Sequence, residues 1–164
     1  MVARVSRLAA AAIMLLVLAS CDAVCGASPQ TQGGQSAGCV DATAPHHAYV
    51  VVVHSSGAWI ERCVGFAAGS IDGPTLMNNA GIRYETDHSV VCAVNGEPAT
   101  TTTTCVQQSG MRWVLFIARD NRWSMTAGTL DTIRLADGQS MGWRYIARSD
   151  ASPAPPPMPH RLQS

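Results

Sequence analysis

Histidine and cysteine are the residue types of this sequence that could bind a metal ion. Adjacent His46 and His47 would point to opposite faces of an extended strand, so they cannot easily bind one ion together. His54 and His88 stand apart from them, and the sequence contains neither a Cys-x-x-Cys nor a His-x-x-x-His spacing. We therefore expect no metal site and no cofactor.

Nucleophiles and paired carboxylates are the other residues that could do chemistry. Ser70 and Ser124 lack a Gly-x-Ser-x-Gly context, and nothing in the sequence brings a histidine next to either of them. The acidic residues are scattered over strand ends and turns, where acids are common: Glu61, Glu85, Asp87, Asp131 and Asp137. With no catalytic residue to assign, we expect a protein that is not an enzyme.

Tryptophan is the residue type that favours a binding function. Trp59, Trp113 and Trp143 fall within predicted strands, where a small core can hold them. Trp123 follows Arg122 in a polar stretch and is the aromatic residue expected to be most exposed. Exposed aromatic residues beside arginine are frequent anchors for ligands and partners. The sequence therefore predicts a binding surface around these two residues.

The overall composition limits the partners. The chain is 47% apolar and 13% charged, which is typical of a globular protein, and its formal net charge is zero. All its cationic side chains other than histidine are arginines, and they form no basic cluster. We therefore expect no nucleic-acid partner.

The N-terminal region predicts export. Arg4 and Arg7 precede a short apolar run that ends in Leu-Ala-Ser-Cys, so residues 1–20 resemble a secretory signal and Cys21 the lipidated cysteine of a bacterial lipobox. Lipid on Cys21 would leave five cysteines, an odd number. Cleavage after Ala27 would leave four, all able to pair, so free secretion stays an alternative to a lipid anchor on the outer side of the membrane.

Composition also marks the domain boundaries. Residues 21–45 are rich in Gly, Ser, Gln and Thr and predict a flexible linker. Residues 149–164 contain five prolines and predict an extended, disordered tail that cannot pack. One domain is left between them, at 46–148.

The pattern within this domain is mostly strand, which predicts an α+β fold. Residues 48–54 and 58–64 form a predicted hairpin around Ser55-Ser56-Gly57. One short helix is expected next, with Asp72 or Ser70 as cap, Pro74 in the first turn and Gly81 as stop. Further strands follow, over residues 89–94, 111–119 and 141–146.

Several short motifs follow one another along the domain: Asn95-Gly96, Cys105, Trp113 and Gly142-Trp143-Arg144. Together with the order of hairpin, helix and strands, they resemble the transcobalamin-like C-terminal domain over about residues 48–147. The resemblance implies a β-grasp fold, in which a mixed, mainly antiparallel sheet packs on one short helix. It also implies that Trp113, Arg144 and Tyr145 lie near the predicted surface of Arg122 and Trp123.

Two disulfides are predicted in an exported chain with six cysteines. Cys92 precedes the Asn-Gly turn and Cys105 follows it, and the related domains have a cysteine pair in the same places. Cys39 precedes the first strand and Cys63 lies on the second, so a bridge between them would hold the end of the linker against the hairpin.

Two functions are compatible with these features. The first is a tethered binding module for a small ligand, and the resemblance implies corrinoid or cobalt uptake, since the vertebrate members use this domain to cover one side of cobalamin. The second is a structural or adhesion-type lipoprotein that binds a protein of the cell envelope.

Overall fold

The computed structural model describes residues 35–36, 38–99 and 110–160. The chain divides into two units, 1–30 and 31–164, and all the described residues belong to the second. The predicted signal, Cys21 and Cys105 lie outside the described residues. Within them, no helix combines the length and the apolar character that crossing a membrane requires.

The described residues contain one α-helix, α1 (Gly73–Asn79), and ten strands. The strands are β1 (Gln35–Ser36), β2 (His46–Val53), β3 (Trp59–Phe66), β4 (Ile71–Asp72), β5 (Tyr84–Asp87), β6 (Val90–Val94), β7 (Met111–Arg119), β8 (Arg122–Met125), β9 (Arg134–Leu135) and β10 (Ser140–Ala147). The expectation of a mainly sheet domain with one short helix is confirmed.

Six strands form the principal sheet, in the order β1-β3-β2-β10-β7-β8. The long central strands β2 and β10 run parallel, with Val51 opposite Gly142. The hairpins β2–β3 and β7–β8 are antiparallel, as is the pair β10–β7. The sheet is therefore mixed and mainly antiparallel, as predicted. The remaining strands form two small sheets, β4–β9 and β5–β6.

The helix packs against one face of the principal sheet, and the main core lies between them. Leu76 and Met77 of α1 are fully buried, together with Val50 and Val52 of β2 and Met141 of β10. Because successive strand residues point to opposite faces, Val51 and Val53 contribute to the other face. Both sets are buried, which explains the continuous apolar run of β2.

Local signals determine where the helix begins and ends. The Asp72 carboxylate accepts a hydrogen bond of 2.8 Å from the Thr75 backbone N–H, and a proline occupies the first turn. Gly81 follows the last turn with a φ of 68°, a conformation that glycine adopts without a steric cost. The helix boundaries predicted from the sequence are thus confirmed.

Removing the cap should destabilise the domain in a pH-dependent way. Asp72→Ala is expected to cost about 1 kcal/mol of unfolding free energy at pH 7. The Thr75 hydrogen bonds lower the pKa of Asp72, so its contribution is present above the pKa of the unfolded chain and is lost as the pH falls through the folded one. Asp72→Asn should keep most of the stability and lose this pH dependence. Urea unfolding at pH 7 and pH 3 tests both, and equal losses at the two pH values would contradict the assignment.

A disulfide joins Cys39 to Cys63 on β3, as predicted. Val40 supports the same attachment, since its N–H donates to the Cys63 carbonyl at 2.9 Å and its carbonyl accepts from the Gly65 N–H at 2.7 Å. The backbone approaches so closely that a Cβ on Gly65 would lie 2.0 Å from the Asp41 carbonyl oxygen. Residues 38–44, which were expected to belong to the flexible linker 21–45, therefore lie against β3 as part of the domain.

The C-terminal segment, residues 153–160, corrects an expectation. These residues were predicted to form a tail that cannot pack, yet Pro153, Pro156 and Pro159 are buried. Their spacing of three matches the three residues per turn of a polyproline II helix, so one edge of the segment faces the sheet. Such a segment needs no strand pairing because proline has no N–H to satisfy. Residues 161–164 of the predicted tail lie outside the described residues.

Candidate functional site

Two of the predicted binding residues meet at one end of the principal sheet. Trp113 of β7 and Tyr145 of β10 are register partners, and their ring centroids are 5.0 Å apart. The Trp113 indole N–H donates to the Glu97 carbonyl at 2.9 Å. These contacts fix the orientation of the Trp113 ring between the sheet and the turn that contains Glu97.

The Glu97 carboxylate links this turn to the β2–β3 hairpin. It accepts hydrogen bonds from the backbone N–H and the hydroxyl of Ser55, and His54 Nδ1 lies 2.7 Å from its Oε2. The Ser55 hydroxyl is bound to the carboxylate and not to His54, so this trio lacks the nucleophile–base contact of a catalytic triad. The trio connects two turns of the chain. It could not be predicted from the sequence, because His54 and Glu97 are 43 positions apart.

The environment of Tyr145 agrees with this arrangement. Its pKa is raised, first because burial disfavours the phenolate and second because the negative charge of Glu97 does the same. Tyr145 therefore keeps its proton at physiological pH, and its uncharged ring packs against Trp113.

An apolar cleft opens on the other side of Trp113. It has a volume of about 450 Å³. Its walls include Val91, Trp113, Leu115, Met125, Leu130 and Trp143. Met125 is 54% exposed and Val90, at the same cleft, is 55% exposed, which is unusual for large apolar side chains.

Trp143, which lines the cleft, carries a buried polar atom. The residue is 4% exposed, and its indole N–H has no hydrogen-bond partner among the residues that the structure describes. A buried donor without a partner costs free energy, and native proteins contain few of them. Sequence analysis placed Trp143 in the core and missed this feature, because whether an N–H finds an acceptor depends on long-range packing.

The other predicted binding residues lie elsewhere. Arg122 is exposed on β8, but Trp123 is partly buried and packs with Val114, Phe116 and Ile146 on the sheet face opposite α1. Arg144 of β10 is on that face as well and donates to the carbonyls of the C-terminal segment. The expectation of one convergent surface is therefore wrong, since alternation along β10 sends Arg144 and Tyr145 to opposite faces.

The expected exposure of Trp123 was wrong for a local reason. Asp120 and Asn121 have φ angles of 51° and 58° and connect β7 to β8 as a two-residue hairpin loop. Asp-Asn at this position is a hairpin signal that the polar appearance of the stretch concealed. The hairpin places Trp123 over Gly142, and a Cβ on that glycine would lie 2.9 Å from the indole ring.

Within the described ranges, no three histidine, cysteine, aspartate or glutamate side chains lie close enough together to bind a metal ion. Cys92 is disulfide-bonded. Its predicted partner, Cys105, lies outside the described residues, so the pairing itself stays a prediction.

Comparisons with known proteins include a distant structural similarity. No protein-family model and no curated protein matches this sequence. A crystal structure of a "putative metal binding protein" from Ruminococcus gnavus ATCC 29149 aligns with the chain at a TM-score of 0.44 and 13% sequence identity. The alignment covers 62% of this chain and 97% of that one. At this level of similarity, neither a family nor a ligand carries over to the present chain.

Proposed function

We propose that this chain is a non-enzymatic module that binds a small ligand at the cleft between Trp113 and Trp143. The observation that carries the proposal is the buried indole N–H of Trp143, which has no acceptor within the described part of the chain. A ligand that offers an oxygen or nitrogen acceptor would remove the cost of this unpaired donor. The cleft volume of about 450 Å³ lies within the range of small-molecule sites.

The proposed fold is a β-grasp. The support is the order β3-β2-β10-β7-β8, in which the first and last long strands are parallel neighbours and the helix follows the first hairpin. This order agrees with the sequence resemblance to the transcobalamin-like C-terminal domain. On that basis a corrinoid is the most specific ligand we propose; because it is too large to enter a cleft of about 450 Å³, it would lie across the cleft with one side against Trp113.

The place of action is proposed from the sequence. A signal over residues 1–20 and lipid on Cys21 would present the domain outside the membrane on the part of the predicted linker that precedes residue 38. Secretion after cleavage at Ala27 is the alternative. In either case the domain would meet its ligand in an oxidising compartment, which agrees with the Cys39–Cys63 bridge.

Cobalamin binding provides the test. Equilibrium dialysis against cyanocobalamin, read by its visible absorbance, should detect binding to the unaltered chain. Trp143→Phe should weaken it about tenfold or more, because the donor to the ligand and part of the aromatic surface are both lost. The smaller phenyl ring leaves a cavity at this buried position and should lower the free energy of unfolding by about 1 kcal/mol or more, so binding is compared once urea unfolding has shown that the variant is folded. Trp59→Phe, on β3 and away from the cleft, is the matched control and should bind normally.

Two outcomes would count against the proposal. If cyanocobalamin does not bind but the apolar dye ANS does, and Trp143→Phe weakens dye binding, the cleft is the site and the corrinoid is wrong. If Trp143→Phe and Trp59→Phe bind every probe equally well, the cleft is not the site.

A protein partner is the second candidate function. The observation in its favour is the exposed apolar pair Val90 and Met125 at the cleft, because exposed apolar patches frequently mark interaction surfaces. The same experiment separates the two candidates. A protein-binding cleft would not take cyanocobalamin, while Met125→Ser would abolish partner capture from the cell envelope.

A further inference from the structure

The sheet face opposite α1 carries a groove that is filled by the C-terminal segment. Gly142 lies at its floor, where a Cβ would come within 2.8 Å of the Pro156 ring and 2.9 Å of the Trp123 indole. Only glycine therefore allows this proline to reach the sheet. We call this surface the proline groove and define it by Trp59, Glu61, Trp123, Gly142 and Arg144.

Two features of the segment fit the proline groove: its backbone carbonyls and the spacing of its proline rings. The Arg144 guanidinium donates to the carbonyl oxygens of Ala154 and Pro155, at 2.9 and 3.1 Å. Pro153, Pro156 and Pro159 face the sheet, whereas Pro155 and Pro157 are exposed. Aromatic side chains combined with donors to carbonyls are the means by which proteins bind polyproline II segments.

The end of the segment is held by a histidine. His160 stacks on Trp59 with ring centroids 5.9 Å apart, and its Nδ1 lies 3.1 Å from Oε2 of Glu61. Glu61 is a carboxylate with only 3% exposure, whereas the His160 side chain is 75% exposed. The last described residue of the segment, His160, is therefore held by two specific contacts with β3.

The attachment leaves the segment replaceable. Among the described residues, no backbone–backbone hydrogen bond joins 153–160 to the sheet. The contacts are made by the proline rings of the segment, by its carbonyls with Arg144, and by His160. Only the His160 contact requires a side chain other than proline. Any chain with prolines at the same spacing would make the ring and carbonyl contacts equally well.

The proline groove also contains a donor that the segment does not use. The Trp123 indole N–H is buried and finds no acceptor in the ranges described here. An indole N–H of this kind is a common donor to a carbonyl of a bound extended peptide, and leaving it unpaired costs free energy. A ligand that supplied this acceptor would gain an interaction that the chain's own segment lacks.

We propose that the proline groove is a binding site for a proline-rich segment of a partner protein, with the spacing Pro-x-x-Pro-x-x-Pro. The C-terminal segment occupies the groove until such a ligand displaces it. A second copy of this chain is the poorer occupant, because each copy holds its own segment at a high effective concentration through a short connection. A partner that also satisfies Trp123 can overcome this advantage.

The test uses the full chain with the segment weakened. Pro153→Ser, Pro156→Ser and Pro159→Ser change the inward prolines, and the matched control carries Pro155→Ser and Pro157→Ser at outward positions. A fluorescent peptide with the sequence of residues 152–160 is titrated and its anisotropy measured. The weakened variant should bind it about tenfold or more tightly than the control. Adding Arg144→Ala to the weakened variant should abolish the gain.

A second measurement keeps the proposal testable if the weakened variant does not fold. The unaltered chain is titrated at millimolar concentration with the same peptide carrying His160→Ala, while the indole N–H signals are followed by NMR. Because displacement removes the histidine ring from Trp59, the Trp59 signal should shift, and the Trp143 signal, on the opposite face, should not. Absence of peptide binding to a folded weakened variant, or an unchanged Trp59 signal, would overturn the proposal. Dimerisation of the unaltered chain would overturn the assignment to a partner, since a second copy would then supply the segment.

Discussion

Leu76→Ala is expected to lower the free energy of unfolding by about 3 kcal/mol, as is typical when a fully buried leucine is truncated. Leu76 is fully buried where α1 meets the sheet. The helix has only seven residues, too few to be stable without its packing. Truncating Leu76 leaves a cavity, since the neighbouring sheet cannot move in to fill it.

Urea unfolding at neutral pH, followed by tryptophan fluorescence, measures this effect. Asn79→Ala, on the exposed side of the same helix, is the matched control and should change the free energy by less than about 0.5 kcal/mol. A loss below about 1 kcal/mol for Leu76→Ala would contradict the structure, because it would mean that the helix does not cover the core.

The helix and the long strands could be predicted because their signals are local. Asp72 as cap, Pro74 in the first turn and Gly81 after the last are all within ten residues of each other. The predicted and observed bounds coincide for β7, since its apolar run is continuous from Met111 onwards. For such elements, interactions between residues close in sequence determine where the element begins and ends.

The binding surfaces could not be predicted because they depend on register and on distant contacts. The pairing of Tyr145 with Trp113, and of Arg144 with Val114, follows only once β10 lies beside β7. The contact between His54 and Glu97 spans 43 positions in the chain and has no spacing rule. The sequence therefore indicates which residues are chemically suited to binding, but it does not show on which face of the sheet each one lies.

The C-terminal segment shows a signal that was present but misinterpreted. Proline-rich composition is typical of an unpacked tail, which was the prediction. The spacing of three between Pro153, Pro156 and Pro159 is the period of a polyproline II helix with one buried edge. Whether such an edge is buried depends on a receiving surface, and here Gly142 and Arg144 provide it.

Replacing both cysteines of the Cys39–Cys63 bridge by alanine is expected to lower the free energy of unfolding by about 3 kcal/mol. The bridge spans 24 positions, and a closed loop of this length restricts the unfolded chain by about that amount. Both cysteines must be changed together, because a single free thiol on β3 could exchange with the disulfide of Cys92.

The hydrogen bonds next to the bridge predict how the native state of the double cysteine variant differs locally from that of the unaltered chain. The two hydrogen bonds of Val40 with Cys63 and Gly65 remain in the double variant, so residues 38–44 should stay in place but exchange their amide hydrogens faster. Val40→Thr is the matched control, since this side chain is 46% exposed and its change leaves the bridge intact. Urea unfolding under non-reducing conditions should separate the two variants by about 3 kcal/mol. An equal urea midpoint would show that the loop is already restrained in the unfolded chain, and the stabilising role assigned to the bridge would be wrong.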